Sequence, residues 1–168
     1  MGGKAVKWNP PPPSSPTPPL RLRRVRQYVV AERGEEARIW RLLDANANRV
    51  REGLRVLEDT MRFVLSQPNA TRSLRSLRHS LDLLIRDHYS QLLAARKVEE
   101  DSGRFNVAKP YKGGVKELLA ANFKRCAEAM RVLEEYGRIM SESAPRKIQN
   151  LRFQVYTIEK RFCGKKGG

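Results

Sequence analysis

The chain has 168 residues, of which 34 are Lys or Arg and 18 are Asp or Glu, so its formal net charge is +16. An even spread of that charge would favour a polyanion such as nucleic acid as the partner. Ten of the sixteen charges, however, lie in residues 1–34 (+6) and 160–168 (+4). The segment between them is only mildly basic, which argues against nucleic acid as the main partner.

The two cysteines form neither a disulfide framework nor a metal-ligand cluster. Cys126 lies on an apolar helical stripe, and Cys163 lies in a Gly/Lys-rich tail. The chain has no run of 18 apolar residues and no apolar N-terminal segment of the signal-peptide type. The sequence therefore predicts a cytoplasmic protein without membrane contact.

Residues 8–20, WNPPPPSSPTPPL, contain seven of the ten prolines. Such a segment favours polyproline II and cannot bury enough apolar surface to fold. We therefore predict three regions: a disordered Pro-rich and basic arm (1–36), a helical domain (37–162) and a flexible basic tail (163–168).

Four segments of the central region have apolar residues at alternating spacings of three and four, which is typical of helices that pack along a seam. The first begins near Arg38, and residues 98–114 lack any period and predict a loop. We predict that Thr71 caps the second helix and that His88 belongs to the core. The four seams are Leu43, Ala47, Val50, Leu54, Leu57, Met61 and Val64; Leu74, Leu77, Leu81, Leu84, His88 and Leu92; Leu119, Phe123, Cys126, Met130, Leu133, Gly137 and Met140; and Ile148, Leu151, Val155, Ile158 and Phe162.

The helical region contains an internal sequence repeat. Residues 121–138, ANFKRCAEAMRVLEEYGR, match residues 45–62, ANANRVREGLRVLEDTMR, at nine of 18 positions with an offset of 76. The second and fourth helices correspond at an offset of 74. Two amphipathic hairpins can bury their seams only against each other. We predict an all-α fold, a four-helix bundle of two repeated hairpins with an internal pseudo-two-fold, preceded by the disordered arm.

The repeat preserves polar residues as well as apolar ones. Asn46, Glu58 and their repeats lie near the seam edges, whereas the repeated Arg residues lie further round each helix. One interpretation is a solvated face with four i,i+4 ion pairs: Arg55–Asp59, Glu58–Arg62, Arg131–Glu135 and Glu134–Arg138. The other is a polar groove, and because guanidinium groups match phosphate or carboxylate bidentately, such a groove would bind an anion. Retention of Arg and Glu while core residues drift favours the groove.

Several long motifs resemble one known family: LLDANANRVREGLRVLEDTMRF, LRHSL, LLAARK, LLAANFKRCAEAMRVLEEYGR and LRFQVYTIEKR. Over residues 37–162 the chain resembles the hydroxymethylpyrimidine phosphate kinases of thiamine biosynthesis, the small helical type often fused ahead of thiamine phosphate synthase. The resemblance implies phosphorylation of 4-amino-2-methyl-5-hydroxymethylpyrimidine phosphate to the diphosphate, with ATP and Mg²⁺ as cofactors.

The resemblance also implies a set of site residues, while the metal ligands stay unassigned. The implied catalytic residues are Arg49, Arg55, Glu58, Arg125, Arg131 and Glu134. The implied substrate- and nucleotide-binding residues are Asp44, Asn46, Glu52, Arg78, Arg96, Asp101, Asn122, Glu128 and Arg152. Glu135, Gly103, Gln154 and Tyr156 match shorter parts of the same motifs.

Two further classes of function stay open. One is a non-catalytic helical module that docks on or regulates thiamine phosphate synthase, and the other is an RNA-contacting bundle that uses its basic tails. No synthase-like segment follows Phe162, so the resemblance implies a chain that works alone or with a separate synthase. The oligomeric state is also open, with a homodimer among the alternatives.

Overall fold

The computed structural model describes the backbone of residues 20–97, 113–140 and 144–164, and the side chains of 34–97, 113–139 and 144–164. All regular elements in these ranges are helical, so the predicted all-α fold is confirmed. They are α1 (Leu20–Asp59), a π-helical turn (Thr60–Val64), α2 (Pro68–Ile85), a 3₁₀ turn (Arg86–His88), α3 (Tyr89–Ala95), α4 (Gly114–Met140) and α5 (Ala144–Cys163). The contacts below lie within the unit Glu35–Gly168.

Some predicted regions lie outside the described residues. They are the Pro-rich part of the arm (1–19), the loop 98–112 with Asp101 and Gly103, and the last residues of the tail (165–168). Helix α1 begins at Leu20, whereas the periodicity predicted a start near Arg38. Within the described ranges, none of the helices has both the length and the apolar character needed to cross a bilayer.

Local sequence explains where the first hairpin turns. Pro68 opens α2, a position that suits proline because the first helical N–H has no intrahelical partner. The prediction that Thr71 caps this helix is wrong, since Thr71 lies inside the first turn and donates from Oγ1 to the Gln67 carbonyl at 2.9 Å. Val64 is exposed rather than on the seam, because the π-helical turn changes the helical phase before it.

The second predicted helix is divided into α2 and α3 by the 3₁₀ turn Arg86–His88. The prediction that His88 is a core residue is therefore wrong. His88 is exposed, and its ring lies 5.4 Å from the ring of Trp40, at a tilt of 41°.

The seams predicted from the spacing form one buried core drawn from both hairpins. Val50, Leu54, Leu74, Phe123 and Val155 are all fully buried. Their burial supplies the main stabilisation of the bundle, since each large apolar side chain contributes about 1.5–3 kcal/mol when removed from water. Helix α5 packs on both α4 and α2, which closes the four-helix arrangement.

The two hairpins meet at equivalent residues. The Sγ of Cys126 lies 3.7 Å from the carbonyl oxygen of Val50, and these two positions differ by the repeat offset of 76. Residue 53 of α1 lies against both Asn122 and Cys126 of α4, so the two helices run antiparallel. The pseudo-two-fold axis therefore passes between Val50 and Cys126, perpendicular to the helices.

Gly53 allows α1 and α4 to approach closely. A methyl group added to Gly53 would lie 2.5 Å from Cys126 Sγ and 3.6 Å from the carbonyl oxygen of Asn122. Burial at this contact raises the pKa of the Cys126 thiol to about 12. The contact thus places a neutral thiol and a glycine where a larger pair would separate the helices.

We expect Gly53→Ala to lower the free energy of unfolding by about 1–2 kcal/mol in urea denaturation followed by circular dichroism. Overpacking of about 1–3 kcal/mol is partly offset by the better helix propensity of alanine. Cys126→Ala removes the clashing sulfur, so the double variant should show a favourable coupling of about 1 kcal/mol. Strict additivity of the two single changes would contradict this account of the contact.

Candidate functional site

The carboxylate of Glu58 is held inside the first hairpin by two guanidinium groups. Its side chain is 1% exposed, and it accepts from Arg75 Nε at 2.8 Å and from Arg78 Nε and Nη2 at 3.2 Å each. Burial alone would raise the pKa of Glu58, but the hydrogen bonds from Arg75 and Arg78 outweigh it and hold the pKa below its ordinary value. Glu58 is therefore an ionised, saturated acceptor that joins α1 to α2.

The second hairpin has the equivalent cluster. Glu134 is 1% exposed and accepts from Arg152 Nε at 2.5 Å, from Arg152 Nη2 at 3.0 Å and from Arg131 Nη1 at 3.2 Å. The hydrogen bond to Glu134 raises the pKa of Arg152 above its ordinary value. Arg78 and Arg152 occupy equivalent positions at the offset of 74, so the repeat preserves a buried link between the helices of each hairpin.

Of the four i,i+4 pairs of the solvated-face interpretation, Arg55–Asp59 and Arg131–Glu135 are confirmed. These clusters correct the other two, Glu58–Arg62 and Glu134–Arg138. Arg62 instead lies over the ring of Phe63, 4.6 Å from its centre, and Arg138 pairs with Glu135 at 3.2 Å. Sequence reasoning missed Arg75, although its spacing of three from Arg78 puts both residues on one helix face.

Asp44 of α1 and Arg96, the residue that directly follows α3, form a third cluster. Arg96 Nη2 and Nε donate to the two oxygens of Asp44 at 2.6 and 2.8 Å, a bidentate pair. Asp44 is buried, and the hydrogen bond to it raises the pKa of Arg96. The pair fixes residue 96, immediately after α3, against α1.

Asn46 and Asn122 are buried beside the contact of α1 and α4. Their Nδ2 groups donate to the carbonyls of Leu42 and Leu118 at 2.9 and 2.8 Å, which leaves each Oδ1 as an acceptor. Arg49 Nη1 donates to Asn46 Oδ1 at 3.2 Å, whereas Asn122 Oδ1 has no partner among the described residues.

Arg125 is exposed, and within the described ranges it has no hydrogen-bond or ion-pair partner. Arg49 is also exposed. The α1–α4 surface thus presents two guanidinium groups, one held by an asparagine and one available to an anion.

The other predicted site residues lie on exposed helix faces. Arg55 pairs with Asp59 at 2.9 Å, Glu128 lies 3.8 Å from Lys124 Nζ, and Glu52 is exposed. Arg131, half exposed, also pairs with Glu135. The structure therefore distributes the predicted site over three ion-pair clusters, the α1–α4 surface and the outer faces of α1 and α4. Their assignment to catalysis or binding stays a prediction.

A magnesium site is not evident from the described side chains. Among them, no three His, Cys, Asp or Glu residues lie close enough together to hold a metal ion. Glu58 and Glu134 have their oxygens occupied by guanidinium groups. Glu52 and Glu128 are the exposed carboxylates on the outer faces of α1 and α4, and oxygen ligands of this kind suit Mg²⁺.

Comparison with known proteins places this bundle in a family. The model of the ThiD2 family matches residues 41–161. The chain is 36% identical over 128 residues to a thiamine-phosphate synthase of Nostoc punctiforme and 38% identical over 130 residues to that of Synechocystis sp.. These matches cover 75% and 76% of the chain but only 36% and 37% of the relatives.

A thiamine-phosphate synthase of Rhodopirellula baltica is 34% identical over 125 residues, which cover 73% of the chain and 33% of the relative. The chain thus spans little more than a third of the length of the curated relatives it matches. No solved structure matches it. The resemblance to proteins of thiamine biosynthesis is confirmed at this level, and the chain belongs to the ThiD2 family.

Proposed function

We propose that this chain transfers a phosphoryl group from ATP to 4-amino-2-methyl-5-hydroxymethylpyrimidine phosphate, forming the diphosphate and ADP for thiamine biosynthesis. The support is threefold: the motifs resemble those of kinases of this type, the chain belongs to the ThiD2 family, and its relatives are named thiamine-phosphate synthases. The structure adds exposed guanidinium groups at the repeated motif.

The reaction needs little proton chemistry. An oxygen of the substrate phosphate, already ionised near neutral pH, attacks the γ-phosphorus of ATP, and the bond to the β,γ-bridging oxygen breaks. Alignment of two polyanions and neutralisation of their charge therefore dominate the requirement. Bound Mg²⁺ would neutralise the nucleotide phosphates, and Glu52, an exposed carboxylate of the repeated motif, is the residue that would hold it.

One observation carries the assignment of residues. Arg125 is exposed and unpaired among the described side chains, whereas Arg78, Arg96 and Arg152 donate to buried carboxylates. A guanidinium that binds phosphate must have free donors, so we assign phosphate contact to Arg125 and its repeat Arg49. Glu58, Glu134, Arg78 and Arg152 are then positioning residues that fix the helices beneath the site.

Arg125→Ala should leave the helical signal in circular dichroism unchanged, because the side chain is exposed, and should lower turnover about 10- to 150-fold. This range corresponds to the loss of one charge-assisted contact worth about 1.5–3 kcal/mol. Turnover is measured as diphosphate formed from ATP, Mg²⁺ and the pyrimidine monophosphate.

The matched control is Arg86→Ala, since Arg86 is 73% exposed and its one ion pair with a described residue is the long contact to Asp87, at 3.8 Å. It should retain full turnover. Full turnover of Arg125→Ala would remove that residue from the site, and absence of turnover in the wild-type chain would refute the kinase proposal.

A second candidate is a non-catalytic module that binds thiamine phosphate synthase. It is favoured by the fact that the matched segment is about a third of relatives that carry that name. Binding of a separate synthase to the chain, together with no ADP formation, would select this alternative.

A further inference from the structure

The two hairpins differ in the groove between their paired helices. In the first hairpin Arg51 of α1 and Asp82 of α2 form an ion pair at 2.9 Å across this groove. The equivalent residues of the second hairpin, at offsets of 76 and 74, are Ala127 and Tyr156. A bridge that spans the first groove is therefore absent from the second.

The two hairpins also differ at a second pair of equivalent positions. Asp44, which binds Arg96 in the first hairpin, is replaced at the repeat by Ala120. Ala120 and Ala127 line an open groove of about 760 Å³ between α4 and α5. This volume lies in the range of small-molecule sites, about 300–1,000 Å³.

The groove combines an aromatic ring with cations and carboxylates. Tyr156 is 39% exposed, and its Oη accepts from Arg152 Nη1 at 3.2 Å, which fixes the ring beside the Glu134 cluster. Lys124 and Arg131 line the groove with side chains 75% and 51% exposed, and Arg131 is already paired with Glu134 and Glu135. Three carboxylates line the same space: Glu117, Glu128 and Glu159.

Each of these groups suits one part of a ligand. An exposed aromatic face stacks on a planar ring, a lysine ammonium group donates to phosphate oxygens, and a carboxylate accepts from an amino group. The mixture of charges disfavours a simple polyanion and suits a molecule that carries both an anion and an amino group.

We propose that the α4–α5 groove binds a phosphorylated aromatic amine, with the ring on Tyr156, the phosphate at Lys124, and the amino group at Glu128. ATP and the aminopyrimidine phosphate share this chemistry, and their presence as ligands rests on the proposed function. The bridged groove of the first hairpin does not bind such a molecule. The duplicated domain thus has one ligand groove and one closed counterpart.

The test copies the bridge of the first hairpin into the second. The double variant Ala127→Arg/Tyr156→Asp should fold as the wild type does, because Arg51 and Asp82 already make this pair on equivalent helices. Binding of the pyrimidine monophosphate and of ATP is measured separately by calorimetry, with inorganic phosphate as a third probe. We expect at least tenfold weaker binding of one or both aromatic ligands and little change for inorganic phosphate.

Arg51→Ala is the matched control, since it removes the bridge from the other groove and should leave all binding unchanged. Loss of one ligand alone identifies which of the two the groove holds. Wild-type affinity in the double variant, or no binding of either aromatic ligand to the wild-type chain, overturns the proposal. Binding without turnover in the wild type refutes the kinase activity and leaves the groove assignment standing.

Discussion

Arg152→Ala should lower the free energy of unfolding by about 3 kcal/mol. Glu134 is 1% exposed, and Arg152 is the one partner that the described residues of another helix give it, so removal of Arg152 leaves a buried carboxylate poorly paired. Loss of one member of a buried ion pair costs about 3–5 kcal/mol. We place the effect at the lower end because Arg131, on the same helix as Glu134, still donates to it at 3.2 Å. Urea denaturation of both proteins gives the difference directly.

The first hairpin supplies the control. Arg78→Ala should destabilise the protein less than Arg152→Ala, because Arg75 also reaches Glu58 from α2, at 2.8 Å. Replacing both Glu134 and Arg152 by leucine should recover much of the loss, since no buried charge then stays unpaired. Equal effects of Arg78→Ala and Arg152→Ala would show that the second guanidinium on Glu58 does not compensate.

Phe123→Ala should lower the free energy of unfolding by about 3–5 kcal/mol, because Phe123 is fully buried and its removal leaves a cavity. The equivalent positions of the repeat already carry smaller residues. At the positions equivalent to Phe123 and Met61 stand Ala47 and Gly137, and they line an apolar pocket of about 70 Å³ that is partly open to solvent.

Gly137→Ala adds side-chain volume to the apolar pocket, whereas Phe123→Ala removes it from the core. A methyl group at Gly137 would lie 3.6 Å from Pro145 Cγ, an ordinary contact, and alanine favours the helix by about 1 kcal/mol. We expect Gly137→Ala to raise the free energy of unfolding by about 1 kcal/mol, again measured by urea denaturation.

For Phe123→Ala, a loss of free energy of unfolding below 1 kcal/mol would mean that the other core residues collapse into the vacated space.

The fold was largely predictable because its signals are local and repeated. The seam spacing predicted helices that pack into a bundle, and the burial of Leu54, Leu57, Leu81 and Met130 confirms it. Two errors, Thr71 as a cap and Val64 in the core, arose at the first turn. A π-helical turn adds a residue to the helical cycle, and apolar spacing carries no signal for it.

The burial of two predicted site residues was predictable from the sequence, but their contacts were not. Helical angles placed Glu58 and Glu134 near the core, and both are buried. Their partners Arg75, Arg78 and Arg152 lie 17 to 20 residues away, on the next helix. A single sequence shows pairs along one helix and gives no register between two helices, which is why Glu58–Arg62 was predicted instead.

The contact between Val50 and Cys126 has a consequence for how the two halves can change. Because α1 meets α4 through equivalent positions, two copies of a single hairpin would make the same contact as a symmetric dimer. In such a dimer every substitution acts twice, and both grooves open or close together. Joining the hairpins in one chain removes that constraint, so each half is free to specialise while the shared interface stays paired.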